Sequence, residues 1–187
     1  MAKQAFELVI HARAGQGAKS AAQFLAEAAI LKDLHIQSWP NYGAERSGAP
    51  MMAFTRISKN PIQTHEPIKE ADVMLILDPT LYGVVDLSTL SKDGILIGNS
   101  CDLNFIKTKT KFKGKIKAIN GTEISMKHLG RDFPNMPLLG ALVGITNIVD
   151  INNLLHVIRK YFQGKLGEEM TKQNLKAVKE GYDTAKQ

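Results

Sequence analysis

Arg13, Gly15, Gln16 and Gly17 fall within five residues, directly after the apolar run Phe6–His11 and before an alanine-rich stretch. An arginine presents a planar fork of N–H donors to a phosphate or carboxylate, and a glutamine amide donates and accepts at once. Glycines between them leave backbone N–H groups open to an anion. The same residues also fit a second purpose. Gly15 and Gly17 permit positive φ, and Ala18, Ala21 and Ala22 let a helix lie close to a strand. Arg13 could then pair with Glu45 or a neighbouring subunit instead of a ligand. Two familiar nucleotide sites fit the spacing poorly. The dinucleotide fingerprint needs a third glycine where Ser20 stands, and an acidic residue after the second strand, where Trp39 and Pro40 stand. The P-loop needs Gly-Lys-Ser/Thr, but Ala18 separates Gly17 from Lys19.

A second polar cluster is the segment NYGAERSGAP, with Tyr42, Glu45, Arg46 and Ser47 on irregular backbone before Pro50. Glu45 and Arg46 are adjacent, so they are expected to face different partners. A third feature is the lysine run at 107, 109, 111, 113, 115 and 117, whose period of two predicts one face of an extended segment. It reads as a solvated edge that discourages sheet pairing, or as a docking stripe for an acidic partner. Nucleic acid fits poorly, because Phe112 is the single aromatic in the run. His11 has no paired base or nucleophile beside it and reads as structural. Asp78 before Pro79, and Asn135 before PLLGAL, read as helix caps or ligand contacts.

These residues must be held by a framework, and the hydrophobic pattern supplies one. Phe6–His11 reads as a strand, Ala18–Leu31 as a helix, and HIQSWP and APMMAFTRI as two further strands. ADVMLILDPT and DGILIGNS are continuous apolar runs of the kind buried on both faces of a sheet, and GKIKAIN could add another strand. The helical period returns from Pro137, which suits a first helical position, and continues through INNLLHVIRKYF and EEMTKQNLKAVKEGYDTAK. The expectation is one domain over residues 1–187. Its class is α/β, a three-layer, mainly parallel sheet with helices on both faces, Rossmann-like. A chain of 187 residues with 44% apolar and 22% charged residues can bury its own core. The single cysteine, Cys101, rules out an intrachain disulfide or a four-cysteine metal or iron–sulfur site. No apolar run is long enough to span a bilayer and no basic leader precedes one, so a cytoplasmic protein is expected, with no membrane partner. A net charge of +6 favours acidic partners.

Three segments together, HARAGQGAKSAAQFLAEAA, PNYGAERSGAPMMAFTRI and PNMPLLGALVG, resemble the gamma subunit of 2-oxoacid:ferredoxin oxidoreductases. The ERSGAP form is most similar to the pyruvate enzymes, and LDPT and NLKAVKEGY add to the likeness. The resemblance implies a gamma-type domain in a heteromeric cytoplasmic complex with alpha, beta and delta (or fused) subunits, which makes acetyl-CoA from pyruvate and passes electrons to ferredoxin or flavodoxin. It implies coenzyme A near this chain, with thiamine diphosphate, magnesium and [4Fe-4S] clusters on other subunits. On this reading Arg13, Gly15, Gln16, Gly17, Tyr42, Glu45, Arg46 and Ser47 help bind the cofactor, and none acts as general acid or base. The chain would be inactive alone. The alternatives are a gamma subunit for 2-oxoglutarate or branched-chain 2-oxoacids, or a free-standing nucleotide-binding or regulatory module. One departure stands out: Ala12 occupies a position where the family usually has glycine. A positive φ there would cost alanine about 1 kcal/mol.

Overall fold

A computed structural model describes residues 5–42, 48–165 and 167–187. Its first strand, β1 (Ala5–Arg13), sits inside the sheet and is buried on both faces, as its apolar run predicts. Leu8, Ile10 and Ala12 point into the larger core, and Val9 points into a smaller one on the other face. The remaining strands are β2 (His35–Tyr42), β3 (Pro50–Ser58), β4 (Ala71–Ile76), β5 (Leu90–Asn99) and β6 (Lys115–Ile119). Their spatial order is β2-β3-β1-β4-β5-β6. β1, β4, β5 and β6 are parallel, while β3 runs antiparallel to both β1 and β2. The mainly parallel α/β sheet expected from the sequence is therefore present. β2 continues through Pro40 to Tyr42, and as an edge strand it tolerates the proline.

Among the described residues six helices cover the sheet unequally: α1 (Ala18–Ile30), α2 (Leu103–Thr110), α3 (Gly121–Leu129), α4 (Asn135–Thr146), α5 (Ile151–Gln163) and α6 (Gly167–Ala185). α1, α3, α4, α5 and α6 pack into the larger core. The smaller core is closed by α2, through Ile106, and by a 3-10 turn at Pro79–Leu81. α2 and α3 were not expected from the apolar pattern, because each buries few side chains. Their starts are nonetheless marked in the sequence. Asp102 caps Asn104 N at 2.8 Å, and Asn120 caps Glu123 N at 3.2 Å, the asparagine–glutamate spacing of a helix start. α4 begins at Asn135, so Pro137 is its third residue and not its first. The first-turn N–H groups have no intrahelical acceptor, so proline is tolerated there as well.

The lysine run is not one extended face. Lys107 and Lys109 lie on α2, Lys111 is its left-handed C-terminal cap, and only Lys115 and Lys117 lie on a strand. Asp102 at the cap and Ile106 anchored in the core make a helix where lysine alternation alone suggested a strand.

α4 and α6 meet without side chains at their crossing. A methyl group at Gly140 would strike the Val178 carbonyl, and one at Gly181 would strike the Pro137 carbonyl. The two glycines thus face each other's helix backbone, which cannot step aside. Alanine would raise intrinsic helix propensity by about 1 kcal/mol, but this close approach overrides it. Gly140→Ala and Gly181→Ala are each expected to lower stability by about 3 kcal/mol in urea unfolding. Gly164→Ala, a position with open space around it, serves as the near-neutral control.

Candidate functional site

The C-terminal ends of β1 and β4 lie side by side because these strands are parallel neighbours. The chain leaves β4 through Leu77 and Asp78, whose fall in the sequence directly before Pro79 breaks the strand. Asp78 becomes the anchor for three residues from two turns. Its Oδ1 takes hydrogen bonds from Thr80 N at 2.9 Å and Thr80 Oγ1 at 2.6 Å. Its Oδ2 takes one from Gln16 Nε2 at 2.7 Å and lies 3.4 Å from Arg13 Nε. Burial alone would raise the pKa of Asp78, but the bonds from Thr80 and Gln16 and the nearby Arg13 charge outweigh it and hold the carboxyl below its ordinary range. The capping role expected for Asp78 is present, and it is part of something larger.

Arg13 is fixed by the same group. Its Nε and Nη2 donate to Thr80 Oγ1 at 3.0 and 2.9 Å, and its Nη1 donates to the Gly48 carbonyl at 3.0 Å. Three of the guanidinium's five N–H groups are thereby engaged, and among the described residues the other two have no acceptor. The side chain stays 36% exposed. Gln16 uses both ends of its amide, since Oε1 accepts from Arg13 N at 2.8 Å while Nε2 reaches Asp78. It is a strut that sets the turn and points Arg13.

The two glycines of the turn are needed for different reasons. Gly17 (φ 79°) begins α1 in the left-handed region, and a methyl there would collide with the Asn135 side-chain amide. Close packing explains Gly17. Gly15 (φ 102°) has nothing within 4 Å of where a side chain would start, so its backbone faces open space. Ala12 needs no positive φ: it lies in β1 opposite Met51, fully buried, with its methyl in the larger core. Asn135 is buried beside the turn. Its Nδ2 reaches the Gly17 carbonyl at 3.4 Å, and its Oδ1 is buried with no hydrogen-bond partner.

On the face opposite α1, a groove of about 600 Å³ opens over β1, β3 and the end of β2. Met52, Phe54, Ile68 and Val84 give it apolar walls, and His11, Tyr42 and Asp86 supply polar groups. It exists because α2 covers only the β4–β5–β6 half of this face. His11 is 9% exposed, and its Nε2 is buried with no hydrogen-bond partner. Burial lowers its pKa to about 4 despite the opposing pull of Asp86, so the ring is neutral at pH 7. Tyr42, 57% exposed, stands at the rim. Arg13, Gly15, Gln16, Gly17 and Tyr42 are thus gathered at one end of the sheet. Glu45, Arg46 and Ser47 lie outside the described residues, in the segment that joins Tyr42 to Gly48.

Sequence reasoning treated His11 as structural and Asp78 chiefly as a cap. The only signals available were their places at the ends of apolar runs. Thr80 was missed, because nothing in its spacing showed that it would stand beneath Arg13. Among the described residues no cluster of three or more His, Cys, Asp or Glu could hold a metal. The one cysteine, Cys101, is exposed and cannot by itself ligate a [4Fe-4S] cluster.

Residues 7–184 match the family described as pyruvate ferredoxin/flavodoxin oxidoreductase. The chain belongs to that family. It is 43% identical over 187 residues to the pyruvate synthase subunit PorC of Thermotoga maritima, covering all of this chain and 97% of that one. The crystal structure of pyruvate oxidoreductase subunit PORC from the same organism superposes with a TM-score of 0.86 over 97% of each chain, at 42% identity. The common gamma subunit of the pyruvate/ketoisovalerate oxidoreductases of Pyrococcus furiosus is 40% identical over 181 residues, 95% of each chain. The 2-oxoglutarate:ferredoxin oxidoreductase of Magnetococcus marinus, solved with coenzyme A bound, shares the fold with a TM-score of 0.81. Its identity is 23%, and the match covers 98% of this chain and 31% of that one. The present chain is a gamma-type subunit of an oxidoreductase complex, as the three sequence segments implied.

Two outcomes test the site. Asp78→Ala should destabilise the fold by about 2–3 kcal/mol in urea unfolding, because it strands Gln16 and Arg13 beside a missing acceptor. Below pH 6.5, stability should fall, since the unfolded chain protonates His11 while the native one resists until about pH 4. The effect is complete below the lower value and is worth about 3 kcal/mol. His11→Phe should flatten the unfolding free energy across that window.

Proposed function

We propose that this chain serves as the gamma subunit of a pyruvate:ferredoxin oxidoreductase, which converts pyruvate and coenzyme A to acetyl-CoA and CO2 and passes electrons to ferredoxin or flavodoxin. It works with alpha, beta and delta (or fused) subunits in the cytoplasm, and is inactive alone. The observation that carries the reading is the match to gamma-type chains over nearly its whole length, with Arg13 held open at the strand ends.

The chain's own contribution is binding and placement. Arg13, braced by Thr80 and Gly48, presents two free N–H groups to a phosphate of coenzyme A. Gly15 lets the backbone approach the same anion, and Gln16 and Gly17 hold the turn in place. Tyr42 lies beside the apolar groove, whose size suits part of an extended ligand. Glu45, Arg46 and Ser47 complete this loop in the proposal. Thiamine diphosphate with magnesium supplies the decarboxylation chemistry, and [4Fe-4S] clusters carry the electrons. The residues of this chain do not fit either group, which the proposal assigns to sister subunits.

A second substrate is favoured by one comparison. Similarity to a gamma subunit shared by pyruvate and ketoisovalerate enzymes indicates that this type of chain need not select the 2-oxoacid. Assay of the assembled complex with pyruvate, 2-oxoglutarate and branched 2-oxoacids decides between them. Arg13→Ala and Arg46→Ala, made separately in the complex, should each raise the KM for coenzyme A by about tenfold with a smaller change in kcat. If neither changes it, the anion site is lost, and a fully active isolated chain would defeat the subunit reading.

A further inference from the structure

Twenty-four lysines and arginines face eighteen acidic residues in this chain, and six of the lysines lie between Lys107 and Lys117. Without those six, basic and acidic residues balance at eighteen each. The entire net charge therefore equals the charge of one eleven-residue segment. No acidic residue occurs between Asp102 and Glu123 to offset it.

The fold strings this charge into a ridge along the outer edge of the sheet, spanning both of its faces. Lys107 and Lys109 lie on α2, Lys111 and Lys113 on the turn after it, and Lys115 and Lys117 on β6, the outer strand of the sheet. All six are exposed, and none pairs with an acidic side chain among the described residues. Ile106, Phe112 and Ile116 anchor the segment in the smaller core, while Lys115 and Lys117 alternate with Ile116 and share the face of Ile119 in the larger core, so the charge runs along the sheet edge on fixed backbone.

Protection of a sheet edge accounts for Lys115 and Lys117. It does not account for the four lysines that precede the strand. A permanent subunit contact is also a poor match, because lysine is depleted from the cores of stable interfaces and burying unpaired ammonium groups is costly. Nucleic acid is disfavoured as well. The lysines are spread over a helix, a turn and an edge strand instead of lining a groove, Phe112 is packed inward, and the ring of Phe105 lies under Lys109 Nζ at 5.9 Å. What remains is a brief encounter, in which charge speeds association and little area is buried.

We infer that the Lys107–Lys117 ridge is a docking surface for the acidic protein that carries electrons away from the complex. The inference rests on the proposed membership in a ferredoxin- or flavodoxin-reducing assembly. The lysines act by raising the rate of productive encounter and have no part in the chemistry.

The test uses the assembled complex carrying Lys107→Glu, Lys109→Glu and Lys115→Glu together, all at exposed positions. Its kcat/KM for an acidic ferredoxin should fall about tenfold or more at low ionic strength, and its dependence on salt should flatten. Reduction of benzyl viologen with pyruvate and coenzyme A should be unchanged. Unchanged kcat/KM for ferredoxin, an equal loss with viologen, or preferential capture of single-stranded RNA over ferredoxin by the wild-type ridge would overturn the inference. A wild-type complex that fails to reduce viologen with pyruvate defeats the pyruvate assignment instead. Ferredoxin binding to wild-type and variant complexes, read by surface plasmon resonance, then still decides the docking surface.

Discussion

The carboxylate of Asp78 is the point at which three separate loops become one structure. A carboxylate taken out of water is unfavourable unless hydrogen bonds and opposite charge replace its hydration, and here both do. Thr80 comes from the turn after β4, while Gln16 and Arg13 come from the turn after β1. Thr80 Oγ1 accepts from Arg13 and donates to Asp78, so the arginine and the aspartate share one hydroxyl. Arg13 in turn grips the Gly48 carbonyl and fixes the start of β3. Removing any member leaves another partly unsatisfied in a half-buried place, which is why the geometry is specific.

This cluster can exist only because the sheet below it is rigid. On the helical side, α4 and α6 approach through Gly140 and Gly181 until backbone meets backbone, and α1 lies against the sheet on a surface of alanines. Close packing of that kind leaves few alternative arrangements. Gly17 and Asn135 extend the same contact to the glycine turn, so the position of α4 helps set the position of Arg13. The other side of the sheet is treated differently. α2 shields β4, β5 and β6, while β1, β3 and β2 remain open beneath the groove. Burial of His11 in that wall keeps it uncharged, so the groove offers one neutral polar group in apolar surroundings. The molecule therefore separates three features in space: the Arg13 cluster at the strand ends, an apolar groove beside it, and positive charge at the far edge of the sheet.

Much of this was legible in the sequence. Continuous apolar runs at 73–77 and 95–98 specify buried strands whatever their partners, and the amphipathic period at 151–162 specifies a helix that covers them. Gly15, Gln16, Gly17 and Arg13 stood out as a candidate site because strand-to-helix turns of parallel sheets face the ligand side. α2 and α3 were harder to read, since helices that bury only one to three side chains leave a weak periodic signal and are announced mainly by their caps. The lysine alternation was misleading for a related reason. A period of two among solvated residues carries no burial, so it does not specify a strand.

The sequence by itself determined the class of fold, the composition that bars this chain from holding redox clusters alone, and the residue types that make the glycine turn a candidate anion site. It also contained the family likeness, because motif order survives without knowledge of contacts. Only the tertiary structure decided what those residues do to one another. Asp78 and Thr80 stand more than sixty positions from Arg13, and no local rule brings them together. Parallel pairing of β1 with β4 does so: the hydrogen bonds and positive charge it gathers lower the pKa of Asp78 against the pull of burial, while burial keeps His11 neutral. Side-chain chemistry is written residue by residue, whereas desolvation and charge proximity are properties of neighbours that folding alone provides.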